Sequence, residues 1–154
     1  MDEQGTLSNT RVVLTVLAAA ALSQVVSWLV VPVLNDLIAT AVIGQVSPGY
    51  WTVRLTSDLL LSFASDLVIT LAAIRVTRDN PIHIALAISF VGFLVWYAEL
   101  GDFSCLGACG LPLWYDLLAI PNQFLGPAVA AIVALSCHNL SKPPIPRTNA
   151  ETGV

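Results

Sequence analysis

Charge is what this sequence has least of. Only 10% of its 154 residues are Asp, Glu, Lys or Arg, whereas an ordinary soluble domain is nearer a quarter charged. Six Lys plus Arg cannot build the basic surface that phosphate neutralisation needs, which argues against a nucleic-acid partner. The net charge of −4 comes from few groups and says little about partners. Metal-ligating residues are equally sparse, with two His and three Cys. His83 and Glu99 are 16 residues apart on one expected helix, about 24 Å at helical rise. Cys137 and His138 fall at the opposite membrane face from Cys105 and Cys109. No metal site and no cofactor are therefore expected. Phosphate-binding glycine loops, zinc-protease motifs and nucleophile elbows are also missing, so the expectation is a protein that is not an enzyme.

What the sequence has in abundance is uninterrupted apolar chain. Hydrophobic residues make up 56% of it. A helix needs about 20 mostly apolar residues to cross the hydrocarbon core. Between Arg11 and Asp36 lie 24 residues without a charge; Asn80 to Ala98 adds 19, and Leu117 to Ser141 adds 25. Leu55 to Ile74 is as apolar but carries Asp58 and Asp66. A soluble helix would alternate polar and apolar faces at a period near 3.6, and these runs do not. The fold expected is an all-α bundle of four transmembrane helices with short loops: TM1 about 11–34, TM2 about 55–76, TM3 about 82–100 and TM4 about 121–138. Residues 1–10 form a polar end, and 141–154, with Lys142-Pro143-Pro144-Ile145-Pro146-Arg147, a disordered cytoplasmic tail. Ala19-Ala20-Ala21 could mimic a cleavage site, but the apolar run continues to Val31 and the preceding segment is acidic, so an uncleaved first span is expected.

The connections carry their own signals. Leu37, Ile38, Ala41, Val42 and Val46 fit a short interfacial helix, or a continuation of TM1 beyond Pro32, before Ser47-Pro48-Gly49 breaks it. The link Thr77-Arg78-Asp79-Asn80-Pro81 is so short that TM2 and TM3 are expected to be antiparallel neighbours, with Asp79 or Asn80 capping TM3. Leu113 to Ile120 reads as a second interfacial helix, with Trp114 and Tyr115 at headgroup level. Placing the N-terminus inside puts Arg11, Arg75, Arg78, Lys142 and Arg147 in the cytoplasm and only Arg54 outside. Five against one selects both termini inside, in a cell (inner or plasma) membrane.

Three groups of residues could carry chemistry. Asp66 sits mid-span, 12 residues past Arg54 and 9 before Arg75. A carboxylate at that depth costs about 2.5–3.5 kcal/mol on insertion scales, so it must face the interior, find donors or hold a proton. Asp58, Ser62 and Ser65 share nearly one face of TM2, with Asp66 and Thr70 at its edge. Ser23, Gln24 and Ser27 in TM1, and Ser89 and Gly92 in TM3, lie at matching depth. Together they suggest a midplane polar seam, either an ion or proton site or a structural anchor between helices. Glu99, Asp102 and Asp116 form an outer acidic rim that would attract cations or simply be solvated. Cys105 and Cys109, with three residues between them on the exported side, suit a structural disulfide or two free thiols better than a redox pair, which usually has two residues between its cysteines.

Small residues, Ala18 to Ala21 and Gly126 to Ala134, suit close helix packing within the bundle or with another subunit. Three function classes follow. The first is an accessory, assembly or immunity-type subunit that works through contacts with other membrane proteins. The second is a small oligomeric transporter or channel using the Asp66-centred seam. The third is a membrane thiol–disulfide oxidoreductase using Cys105 and Cys109. The bilayer is the common partner, with a membrane protein or a second copy beside it.

Overall fold

The computed structural model describes residues 3–45, 48–100 and 112–140, and side chains within 9–45, 48–98 and 112–137. Glu99 (as a side chain), Asp102, Cys105, Cys109 and the tail from Ser141 lie outside the described residues. The elements are α1 (Glu3–Val25), a π-helical turn (Val26–Val30), α2 (Val31–Ile43), α3 (Tyr50–Thr77), α4 (Pro81–Leu100) and α5 (Leu113–Leu140). Among the described residues there is no strand. Four helices are long and apolar enough to span a membrane: Asn9–Ile43, Tyr50–Thr77, Pro81–Ala98 and Leu113–Cys137.

Burial runs opposite to that of a soluble protein. Leu14, Trp28, Leu29, Leu60, Val68, Leu86 and Ile132 are all exposed, while Ser23, Asn35, Asp66, Thr70 and Ser89 are buried. Lipid tails solvate an apolar exterior, and only the bundle interior can satisfy a polar side chain. The apolar part of the interior is Val16 and Ala19 of α1, Ala73 and Ile74 of α3, Ile84 and Ile88 of α4, and Ala130 of α5.

Of the two courses expected after Pro32, the first span takes the continuous one. It continues past Leu34 to Ile43 without a break, because Pro32 falls in the first turn of α2 and the turn before it widens. A proline lacks an N–H and its ring crowds the carbonyl four residues back. The chain answers with a π turn in which the Val31 N–H bonds the Val26 carbonyl, five residues back. α2 ends at Gly44, whose N–H still bonds the Thr40 carbonyl at 3.0 Å while its φ of 75° turns the following chain out of the helix; a positive φ favours glycine. α5 likewise starts at Leu113 and runs through Pro121 and Pro127 to Leu140. The separate interfacial helix and the TM4 start at Pro121 are thus one continuous helix. Apolar surroundings offer a broken backbone no other partner, so continuing the helix is the cheaper course.

α3 is the hub. It packs on α1, α2 and α5, while α4 packs on α1 and α5. The two helices joined by the short link, α3 and α4, do touch, but more lightly than either touches α1 or α5. The linking turn is tight nonetheless. Arg78 adopts φ 56° and returns its N–H to Ile74, and Asn80 Oδ1 accepts from the Ile82 N–H at 3.0 Å, capping α4. At the same end Arg11 donates to the Val76 carbonyl at 3.0 Å, meeting one of the carbonyls left open at the end of α3.

Candidate functional site

The polar residues inside the bundle divide into two groups at different depths. The deeper one holds Asp66. Its carboxylate accepts a hydrogen bond from the Ser23 hydroxyl of α1, and only 7% of the residue is exposed. Gly126 of α5 presses directly on it: a Cβ at Gly126 would stand 2.8 Å from Asp66 Cβ and 2.9 Å from the Phe63 carbonyl oxygen. Thr70, one turn further along, is fully buried, and its hydroxyl has no hydrogen-bond partner. This level is packed shut by α1, α3 and α5.

The second group is built around Asp58, two helical turns before Asp66 on α3. Asn35 Nδ2 of α2 donates to Asp58 Oδ1 at 2.6 Å. The Tyr115 hydroxyl of α5 donates to Asp58 Oδ2. One carboxylate therefore joins three spans. Two cavities meet at this triad. The larger, about 220 Å³, lies between α1, the π turn, α3, α4 and α5, and Gln24, Trp28, Asp58, Trp96, Tyr115 and Asp116 are among its walls. The smaller, about 190 Å³, lies toward the α2–α3 connection and is bounded by Pro32, Asn35, Trp51, Arg54, Leu55, Asp58 and Tyr115. Asn122 of α5 also borders the larger cavity, and its Nδ2 donates to the Leu59 carbonyl at 3.1 Å.

Arg54 Nε pairs with Asp36 at 2.9 Å, and its guanidinium lies 5.1 Å from the Trp51 ring centre, within cation–π range. Asp36 also accepts from the Tyr50 hydroxyl at 3.1 Å. Arg54 is thereby held on Asp36, and the donors on Asp58 are the neutral Asn35 and Tyr115. Asp58 and Asp116 both border the larger cavity, whose described walls include no Lys or Arg.

The proposed seam is thus redistributed. Gln24, Ser27, Ser62 and Asp58 border the larger cavity. Asp66 does not; it sits below, with Ser23. Ser65 turns its hydroxyl back to the Ser62 carbonyl of its own helix at 2.9 Å. Ser89 is buried but borders an apolar groove between α4 and α5 with Ile82, Leu86 and Phe124. Of the acidic rim, Asp116 joins the cavity, while Glu99 and Asp102 lie outside the described side chains, as do Cys105 and Cys109. Cys137 is a free, exposed thiol. Among the described residues no three His, Cys, Asp or Glu side chains converge on a metal-sized site.

Sequence reasoning missed Asn35, Tyr115 and Asn122. Asn35 lies just past the end of the first span expected from sequence, at about residue 34, and Tyr115 reads from sequence as a headgroup anchor. The available signal is the amides themselves: Asn122 and Gln123 stand together in otherwise apolar chain and must seek partners there. No protein-family model matches this chain, and no curated protein or solved structure matches it significantly.

Proposed function

We propose that this small multi-pass membrane protein binds a small organic cation in the Asp58 chamber and serves as a transporter or channel component for it, without being an enzyme. One observation carries the reading. A cavity of about 220 Å³ within the bundle sets the Asp58 carboxylate near Trp28, Trp96 and Tyr115. Carboxylates in a low-dielectric site attract positive charge strongly, and aromatic faces add to that attraction. An ionisable group within a span is costly to keep unless it is used or well paired.

The floor of the chamber supports a gated mechanism. Below Ser62 the helices α3 and α5 close on one another at Gly126 and Asp66. A solute reaching Asp58 is therefore held from one side, and passage requires α3 and α5 to part or a second copy to complete a path. Four spans are few for a carrier, which favours an oligomer. In this reading both termini lie in the cytoplasm and the chamber opens to the outside, following the Lys and Arg distribution.

The test is equilibrium binding of phenethylammonium to the full-length protein in lipid nanodiscs, read by tryptophan fluorescence. Asp58→Asn is expected to weaken binding at least about tenfold, and neutral phenethyl alcohol is expected not to compete. Absence of binding, or an undiminished affinity in Asp58→Asn, would overturn the proposal.

A second reading, the accessory subunit, rests on a different observation. The apolar groove of about 260 Å³ between α4 and α5, bounded by Leu86, Phe124, Ala128 and Ile132, could seat side chains of a neighbouring helix. Cross-linking in mild detergent that always yields a single chain would remove it.

A further inference from the structure

The first span changes partners at its π turn. α1 packs on both α3 and α4, whereas the π turn and α2 approach α3 and, among the described residues, neither α4 nor α5. At Gln24 the span is still beside α4, since a Cβ on Gly92 would stand 3.8 Å from Gln24 Nε2. From Val26 onward its backbone no longer comes close to α4. Prolines and π turns are the ordinary places for a helix to change course, and this span has both within a few residues. A gap is left between the π turn and α4 at the level of the larger cavity. Trp28 on one side of the gap and Trp96 on the other are both walls of that cavity.

A second observation lies on the lipid side of the gap. Gln24, Val25, Trp28 and Leu29 line an apolar groove of about 290 Å³ on the outside of the bundle. Their spacing sets them on one strip of the span, and Val25, Trp28 and Leu29 are exposed there, Trp28 to 61%. Gln24 and Trp28 are walls of the chamber as well. The polar chamber and the apolar groove therefore share an edge. We infer that the two form one site for a single-chain amphiphilic ammonium, which enters sideways from the bilayer past Trp28, its head at Asp58 and its alkyl tail along Val25, Trp28 and Leu29. This rests on the reading of the chamber as a cation site, and adds the substrate's tail and its route.

The arrangement follows from the two media. A tail in hydrocarbon gains little from an apolar groove, because lipid tails are as apolar as Leu side chains, and it loses nothing there either. What the gap removes is the cost of drawing a long tail through water, or of packing it among Ser27, Ser62, Asn122 and Gln123 in the chamber. Trp28 suits the shared edge, because its ring is a broad apolar surface with one N–H to meet a polar neighbour. A phospholipid chain lying in the same groove would be indifferent to Asp58, which separates the two occupants.

The experiment photolyses decylammonium bearing a diazirine near its tail end with the full-length protein in nanodiscs, and maps the adducts by peptide mass spectrometry. Adducts are expected on Val25, Trp28 or Leu29. Excess phenethylammonium is expected to reduce them at least about fivefold by competition for the head site, and phenethyl alcohol to leave them unchanged. The corresponding decanol probe measures simple contact with lipid. Groove adducts that ignore phenethylammonium, or that match those of the alcohol probe, would overturn the inference. So would competable adducts found only on Ala119 and Asn122 inside the chamber, or only on Leu86 and Ile132 of the α4–α5 groove. These comparisons use the wild type and need no variant to fold. If phenethylammonium binds and Asp58→Asn weakens it while the groove adducts are not competed, the cation site stands and the sideways route falls. If neither ammonium binds in a way that depends on Asp58, both fall together.

Discussion

Gly126 and Asp66 face each other so closely that the first carbon of any side chain at Gly126 would stand 2.8 Å from Asp66 Cβ. Close approach of α5 here places the Asp66 carboxylate under a wall of backbone. The glycine's value here is its lack of a side chain, since helix association in lipid depends on close backbone approach.

Gly126→Ala should therefore force α3 and α5 apart. The obstructing atoms include the Phe63 carbonyl and the Leu67 amide, which cannot rotate away. The expected cost is about 1–3 kcal/mol, the range for overpacking a filled interior. Reversible unfolding in mixed micelles should show it, and an unchanged midpoint would mean that the helices already have slack there.

The buried hydroxyls of the deeper level should respond in opposite directions. Ser23→Ala removes the donor to Asp66 and should destabilise by about 0.5–2 kcal/mol. Combined with Asp66→Asn in a double-mutant cycle, it should show a coupling of about 1 kcal/mol. Thr70→Val removes a hydroxyl that has no partner while nearly keeping its shape, and should be neutral or stabilising. Since Asp66 borders neither chamber, Asp66→Asn should leave phenethylammonium affinity and its pH profile within about twofold of wild type. A flattened profile would return Asp66 to a proton-relay role.

Pro32→Ala tests the π turn. Without the proline there is no missing N–H and no ring to accommodate, so Val26 to Val30 can relax to ordinary helix. Removing one residue's worth of extra winding turns α2 by roughly 100° relative to α1, which swings Asn35 away from Asp58. Helix content measured by circular dichroism should be unchanged, while amine binding falls at least about tenfold. Retained binding would show that contacts with α3 alone hold α2 in place.

Topology is read through Cys137. In a Cys105→Ser, Cys109→Ser background, this exposed thiol at the end of α5 should resist a membrane-impermeant maleimide in intact cells and react once the membrane is opened. Labelling from outside would reverse the proposed orientation. The same double variant should bind amines as the wild type does, unless the cysteines contribute a staple or a redox reaction.

Much of the architecture is legible in the chain alone. Uncharged runs of 24, 19 and 25 residues have the length and composition of membrane-crossing helices, in which every backbone group is satisfied within its own segment. The same logic marks Asp58 and Asp66 as inward-facing. Their separate roles are not legible, because depth and helical face give a residue's direction but not what the neighbouring helix presents there. Only the packing of α5 against α3 set Gly126 over Asp66 and Tyr115 on Asp58. Only the π turn before Pro32 carried Asn35 out of a supposed loop and into the site, since hydrophobic runs register the length of a helix and not its local winding. Composition and run length thus determined a scarcely charged, four-span chain. Tertiary structure decided which of its few polar groups are locked together and which border open space, because that depends on contacts between segments distant in sequence.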